Sequence, residues 1–254
     1  MTTIYLHGFS GDDKGLADFA EALDVRPYYL LLMPGFGGST VRRAARDNLG
    51  EYCHDVIEQI NTITTEKIHL IGHSHGAIIA YSVAALYPDR VARLTLINPV
   101  ARPQLSSRAL STLIRGATWV VPTPLFLRVL RSRHIVDAVS RYLTEGHHIS
   151  AQARVKAMRR NETKYYHKDM FRLSNHATSF KEFMKESRVT CPTTILFDAM
   201  DNVAGPHAAA WYAAHTSNPT LLEVTGGHLG VVATPEIIAG TLRGAKMDYN
   251  NSDD

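Results

Sequence analysis

The sequence has little of what marks a membrane, secreted or metal-binding protein. Its 254 residues include only two cysteines, Cys53 and Cys191, which are too few and too scattered for a disulfide framework or a metal site. No apolar run approaches the roughly 18 residues that a membrane span needs. The N-terminal residues show neither a basic leader nor an apolar signal segment. These absences predict a cytoplasmic protein without a transmembrane segment, in which both thiols are buried as small hydrophobic side chains.

Acidic residues are scarce in the middle of the chain. Residues 101–160 contain ten Arg and one Lys against Asp137 and Glu145, a balance of +9, whereas the whole chain carries +3. Two interpretations stay open, a solvated helix face or a surface for an anionic substrate, a nucleic acid or an anionic membrane. No aromatic stacking motif accompanies the arginines, so we do not expect nucleic acid to be the partner.

Apolar material is plentiful, at 45% of the residues, and it is arranged periodically. Strand-like runs alternate with helical patterns, which is typical of an α/β fold with a mostly parallel, doubly wound sheet. The strand runs are apolar throughout, as expected for strands that are covered on both faces. The predicted strands are 3–6, 28–33, 67–71, 91–97, 193–197 and 220–224, and the predicted helices are about 15–23, 47–62, 76–87, 206–215 and 235–243.

The alternation breaks once, between residues 100 and 187, where no strand pattern is found. An insertion of this size between two strands predicts a helical cap over one edge of the sheet. The predicted α/β core is therefore 1–99 together with 188–245. The polar stretch 246–254 lacks periodicity, and we expect it to be a disordered tail.

Part of the predicted cap, residues 110–130, combines an apolar stripe with single arginines. Two interpretations stay open, a lid over an acyl pocket and a membrane-facing segment that gives peripheral contact with lipid. Two prolines, Pro122 and Pro124, divide the segment into short helices, which favours a hinged lid. The candidates to line the pocket, which would serve equally as cap core, are Trp119, Leu125 and Phe126.

The stretch Gly72-His73-Ser74-His75-Gly76 lies between an apolar strand pattern and an apolar helix pattern. Gly-x-Ser-x-Gly in this context is typical of a nucleophile elbow. The turn is so tight that side chains two residues before and two residues after the serine would collide with the neighbouring backbone. The pattern therefore predicts Ser74 as a nucleophile, held in strained geometry at the N-terminus of a helix.

A serine hydroxyl needs a base that accepts its proton, and the base needs an acid that orients it. After a nucleophile elbow, the chain order is serine, acid, histidine. The predicted base is His228, which follows two glycines after the last strand pattern. The other histidines have no comparable place, although three of them lie in the predicted cap, where they could face the site: His147, His148 and His167.

Two aspartates follow the strand pattern that ends at residue 197. Asp201 lies in the loop that has to reach the histidine, and it is the predicted acid. Asp198 lies at the edge of the strand, where we expect it to face away or to cap the loop. The alternative position for an acid, after the strand pattern 91–97, is occupied by Asn98, which has no carboxylate.

Acyl chemistry also needs two backbone N–H groups directed at the developing negative oxygen. One is predicted to be that of His75, directly after the nucleophile. The other is predicted to be that of Phe9, which follows His7-Gly8 at the end of the first strand pattern. These parts need no metal ion and no organic cofactor.

Taken together, these motifs resemble the α/β-hydrolase superfamily over nearly the whole chain outside the predicted cap. The stretches that carry the resemblance are LHGF at 6–9, MPGFGGS at 33–39, GHSHG at 72–76, DAMD at 198–201 and GGHLG at 226–230. The resemblance implies the α/β-hydrolase fold. One fold hosts many chemistries, so the reaction has to be inferred from the site.

Two of these stretches, LHGFSGDD and PGFGGS, also resemble the SHCHC synthase branch, the menaquinone-pathway lyases that release pyruvate. That branch holds an anionic substrate with arginines, which the basic cap would suit. It has Tyr before the serine and Arg four residues after it, whereas this chain has His73 and Ile78. The arginine contact of that branch is therefore missing here.

The sequence predicts a serine hydrolase, a carboxylesterase or lipase-like enzyme, that cleaves a small-molecule ester through an acyl-enzyme. The alternatives are a lyase or carbon–carbon bond hydrolase for an anionic substrate, and a ligand receptor with slow turnover. The pattern indicates no particular oligomeric state.

Overall fold

A computed structural model describes residues 1–8, 16–36, 39, 48–101 and 187–250, together with ten separate positions between 125 and 185. The elements in this part of the chain are the strands β1 (Thr2–Leu6), β2 (Tyr28–Leu31), β3 (Ile68–His73), β4 (Val91–Ile97), β5 (Thr193–Phe197) and β6 (Pro219–Glu223), and the helices α1 (Ala17–Leu23), α2 (Leu49–Asn61), α3 (His75–Leu86), α4 (Gly205–Ala214), α5 (Gly230–Ala233) and α6 (Pro235–Asn250).

The strands form one six-stranded sheet in the order β2-β1-β3-β4-β5-β6. Each of its strand pairs is parallel, which confirms the predicted doubly wound α/β-hydrolase fold. From β1 the chain continues to β2 at one edge of the sheet. After β3 it continues through β4 and β5 to β6 at the opposite edge. The order therefore reverses between β1 and β3, and the carboxyl ends of strands at such a switch point form the usual ligand crevice.

Helices cover both faces of the sheet. Side chains of each strand point alternately to the two faces, so a strand can contribute to a hydrophobic cluster on either side. In β1, Ile4 and Leu6 belong to the hydrophobic cluster that includes α2, α3 and α4. Tyr5, between them, belongs to a second cluster with α1 and α6. In β3, every residue is buried, as the sequence predicts for a strand covered on both faces.

Helix α6 is the last element that the structure describes. Helix α6 continues to Asn250 and so enters the stretch 246–254, which the sequence predicts to be a disordered tail. The stretch lacks an apolar period, but Lys246 and Met247 have high helix propensity and no proline or glycine stops the helix. Residues 251–254 lie outside the described part of the chain.

Most of the predicted cap, 100–187, also lies outside the described residues. Its last part is attached to the core, since Phe180 and Met184 are fully buried in the cluster with α3 and α4. Leu125, a predicted pocket residue, is 53% exposed, whereas Trp119 and Phe126 are not among the described residues. In the described part of the chain, no helix is both long enough and apolar enough to cross a bilayer.

Candidate active site

The predicted elbow is a sharp turn between β3 and α3. Ser74 has φ 54° and ψ −115°, in the left-handed half of conformational space that side chains rarely adopt. A Cβ atom on Gly72 would lie 2.4 Å from the carbonyl oxygen of Gly76, and a Cβ on Gly76 would lie 2.3 Å from that of Leu6. Both positions therefore require glycine for steric reasons.

The structure brings Ser74, His228 and Asp201 together. The Ser74 hydroxyl donates to Nε2 of His228 at 2.8 Å, and Nδ1–H of His228 donates to Oδ2 of Asp201 at 2.8 Å. All three residues are at most 7% exposed, so these hydrogen bonds are shielded from water. This arrangement can transfer the serine proton to the imidazole and stabilise the imidazolium that forms.

The carboxylate of Asp201 is itself held by its loop. Its Oδ1 accepts from the N–H groups of Val203 at 2.7 Å and Ala204 at 3.0 Å. Burial raises the pKa of Asp201, but the hydrogen bond and charge of His228 and the two backbone N–H groups together bring the net pKa below its usual range. The group is therefore an anion near neutral pH, as the orienting acid of a serine nucleophile has to be.

Asp198 does not contact the imidazole. Its Oδ1 caps the loop by accepting from the N–H of Met200 at 2.8 Å, as the sequence suggests. Its Oδ2 accepts from the N–H of Gly227 at 2.8 Å, a contact that sequence reasoning missed. The sequence indicates only that Asn98 has no carboxylate, whereas in the structure its side-chain amide donates to the carbonyl of the same Gly227 at 2.8 Å.

The loop after β1 lies directly against the nucleophile. A Cβ on Gly8 would lie 3.3 Å from the Cβ of Ser74 and 2.9 Å from Nδ1 of His73. His7 orients this loop: its Nε2 accepts from the N–H of Met33 at 3.2 Å, so that Nδ1–H donates to the carbonyl of Gly8 at 2.9 Å.

Of the two predicted oxyanion donors, His75 begins helix α3, where backbone N–H groups lack intrahelical partners. Phe9, the other, lies outside the described residues. The His75 side chain is buried and stacks on His176 of the predicted cap, with ring centroids 5.5 Å apart. Sequence reasoning missed His176, since nothing in its local pattern indicates this contact.

The cap histidines named from the sequence, His147, His148 and His167, all lie outside the described part of the chain. In that part, no group of three or more His, Cys, Asp or Glu side chains is arranged to hold a metal ion.

The fold is that of an α/β hydrolase. Residues 2–224 match the family described as serine aminopeptidase, S33, and the chain belongs to this family of α/β hydrolases.

The chain is similar to two curated proteins in sequence and to a solved structure in fold. An abhydrolase domain-containing protein of Schizosaccharomyces pombe is 25% identical over 91% of this chain and 66% of its own length. The dihydrolipoyllysine-residue acetyltransferase component of the acetoin cleaving system of Pseudomonas putida is 35% identical over 37% of this chain and 25% of its own length. A solved thermophilic esterase from Thermogutta terrifontis, malate bound, has a TM-score of 0.71 at 20% identity, covering 98% of this chain and 90% of the esterase.

The chain spans only 25% to 39% of the length of three curated relatives that it matches. At 20% identity, the likeness to the esterase shows the fold alone.

Proposed function

We propose that the chain is a carboxylesterase or lipase-like enzyme that cleaves a carboxylic ester through an acyl-enzyme on Ser74. The observation that carries the proposal is the unbroken pair of 2.8 Å hydrogen bonds from Ser74 through His228 to Asp201, with the serine on a strained elbow. Strain of this kind is maintained only where the surroundings enforce it, and it is typical of functional sites.

In the proposed reaction, Ser74 Oγ attacks the ester carbonyl while Nε2 of His228 accepts its proton. Asp201 keeps the imidazole in the tautomer that leaves Nε2 free to accept. The backbone N–H groups of His75 and Phe9 stabilise the tetrahedral oxyanion. His228 then protonates the leaving alcohol, and a water molecule releases the acid by the same steps in reverse.

Family membership supports hydrolase chemistry. A serine at the elbow also favours an acyl intermediate, since a carbonyl carbon is the electrophile that an activated hydroxyl attacks most readily. The lyase, carbon–carbon hydrolase and receptor alternatives become outcomes of the test below.

The test is hydrolysis of p-nitrophenyl esters from acetyl to dodecanoyl by the wild type and Ser74→Ala. We expect multiple turnovers in the wild type and a loss of roughly 10⁴-fold or more in kcat in the variant, because the residues of a triad act as a unit. Ser82→Ala is the matched control, since Ser82 is a fully buried serine that lies in helix α3, about two turns after Ser74. The acyl-length profile will report the size of the pocket.

Absence of turnover on every ester would contradict the esterase proposal. Activity on a carboxylate-bearing substrate in its place would favour the lyase or carbon–carbon hydrolase. Stoichiometric ester cleavage without multiple turnovers would favour the receptor.

A further inference from the structure

Three buried side chains that take no part in the proposed reaction bind the main chain at Gly227 and His228. Nε2–H of His73 donates to the carbonyl of His228 at 2.8 Å. The amide of Asn98 donates to the carbonyl of Gly227, and Oδ2 of Asp198 accepts from the N–H of Gly227, both at 2.8 Å. We call these three side chains the histidine-loop clamp.

The clamp is built into the sheet. His73 is the last residue of β3, and Asn98 and Asp198 are the first residues after β4 and β5. These three strands are neighbours, and parallel strands bring their carboxyl ends to the same edge. The pairing continues into the clamp, since the N–H of Asn98 donates to the carbonyl of Leu196 at 2.8 Å. The rigid sheet therefore supplies three fixed points for one loop.

The loop that carries His228 contains two adjacent glycines, which make its backbone flexible. Gly226 and Gly227, with φ of 120° and 69°, immediately precede His228. Glycine is the residue with the greatest backbone freedom, so this dipeptide by itself would let the imidazole move. A misplacement of about 1 Å between reacting groups lowers a rate by roughly 100-fold.

The chemistry of His73 suits a place beside the imidazole. Its ring centroid is 5.5 Å from that of His228, and the residue is only 4% exposed. Burial, followed by the nearby charge of His228, lowers the pKa of His73 to about 4. His73 is therefore neutral near pH 7, so it offers an N–H donor without adding a positive charge next to the imidazolium that forms during the reaction.

We propose that His73, Asn98 and Asp198 are positioning residues that hold residues 227–228 so that the imidazole of His228 stays between Ser74 and Asp201. This inference rests on the proposed function, since a reaction that uses His228 as its base is what requires a fixed imidazole.

The test compares His73→Leu with His69→Leu. Both histidines are buried in β3, and each makes a side-chain hydrogen bond at 2.8 Å, that of His69 to Thr95 and that of His73 to the carbonyl of His228. We expect His73→Leu to lower kcat by roughly 10- to 100-fold with little change in KM, and His69→Leu to keep the wild-type kcat even where its Tm falls equally. His73→Gln restores an N–H donor and should recover most of the kcat.

Equal losses of kcat in the two leucine variants, or no recovery in His73→Gln, would overturn the proposal. A second variant keeps the test open if His73→Leu does not fold. Asn98→Gly removes the amide, and glycine tolerates the φ of 44° at this position. We expect it to lower kcat in the same range. In a double variant with His73→Gln, the Asn98→Gly substitution should lower kcat by the same factor as it does alone. An unchanged kcat in Asn98→Gly would count against the clamp.

A readout that needs no turnover separates this proposal from the esterase proposal. The proton of His228 Nδ1, bonded to the Asp201 carboxylate, gives a low-field NMR resonance when the imidazole is held. We expect this signal in the wild type and in His69→Leu, and its broadening or loss in His73→Leu. If the wild type cleaves no ester, the esterase proposal fails, but the NMR resonance still tests the clamp. An unchanged signal in all three proteins would overturn the clamp.

Discussion

Individual residues of the site are held in states that they would not adopt in water. Ser74 is fixed at a positive φ, and Asp201 stays ionised although it is buried, because it accepts hydrogen bonds from His228 and two backbone N–H groups. The low pKa of His73 acts on stability in the same direction as the low pKa of Asp201, because in both cases the unfolded chain binds the proton more readily. The ionised form of His73 is disfavoured in the folded protein. Acidic pH therefore lowers the free energy of unfolding.

Acidic pH should destabilise the protein through His73. A histidine has a pKa of about 6.5 when unfolded, and that of His73 falls to about 4 in the folded protein. Between these values the unfolded chain binds more protons, so stability falls as the pH falls, and it is fully retained above about 6.5. Between about pH 7 and about pH 5, His73 should lower the free energy of unfolding by roughly 2 kcal/mol.

Urea denaturation of the wild type and His73→Gln at these two pH values measures the effect. The variant should lose less stability on acidification, because glutamine does not titrate. The same decrease in both proteins would show that His73 is not the group responsible.

At the scale of elements, the tight packing of β1, β3 and α3 decides what the elbow tolerates. The first turn of α3 lies so close to β1 that only a hydrogen atom fits at Gly76. The approach cannot be relieved by a side-chain rotation, since the opposing atoms are backbone carbonyl oxygens of Leu6 and His7. The elbow is therefore a property of two strands and a helix together.

Gly76→Ala and Gly240→Ala form a matched pair of substitutions in helices. An added Cβ at Gly76 would lie 2.3 Å from a carbonyl oxygen, whereas at Gly240 in α6 no atom of the described residues outside the nearby helix backbone would lie within 4 Å of it. We expect Gly76→Ala to lower the free energy of unfolding by at least roughly 3 kcal/mol. Gly240→Ala should raise it by about 0.5–1 kcal/mol, because alanine loses less backbone entropy than glycine. Equal effects in urea denaturation would contradict the steric account of the elbow.

At the scale of the whole molecule, the predicted cap and the α/β core share one hydrophobic cluster. Phe180 is fully buried and packs its ring against Tyr81, Trp211 and Tyr212, with centroids 5.1–5.9 Å apart. His176, four residues earlier in the sequence, stacks on His75, which follows the candidate nucleophile. The end of the predicted cap is thus fastened to the core close to the candidate site.

Phe180→Ala should therefore lower the stability of the whole domain by about 3–5 kcal/mol, the usual range for removing a buried phenylalanine ring. Leu125→Ala, also in the predicted cap, is the control: its side chain is 53% exposed, and we expect a change within about 0.5 kcal/mol. A single cooperative urea transition with a small shift for Phe180→Ala would show that this ring does not join the cap to the core.

Much of the fold follows from local pattern alone. The predicted α/β hydrolase fold is confirmed, because buried apolar runs and the sterics of Gly-x-Ser-x-Gly act over a few residues and are visible in any short stretch. The ends of strands depend less on the local sequence and more on the pairing with neighbouring strands. The strand predicted at 67–71 ends at His73, since Gly72 and His73 pair with Leu96 and Ile97 of β4, and a polar Gly-His pair does not by itself indicate a strand.

The sequence by itself determined the candidates for nucleophile, base and acid, and their order along the chain. Only the tertiary structure decided that Asp201 reaches the imidazole while Asp198 holds the loop, and that His73 and Asn98 meet the same loop from 155 and 129 residues away. Such contacts depend on strand order and register across the sheet, which arise from the packing of the whole chain and leave no mark in the local pattern.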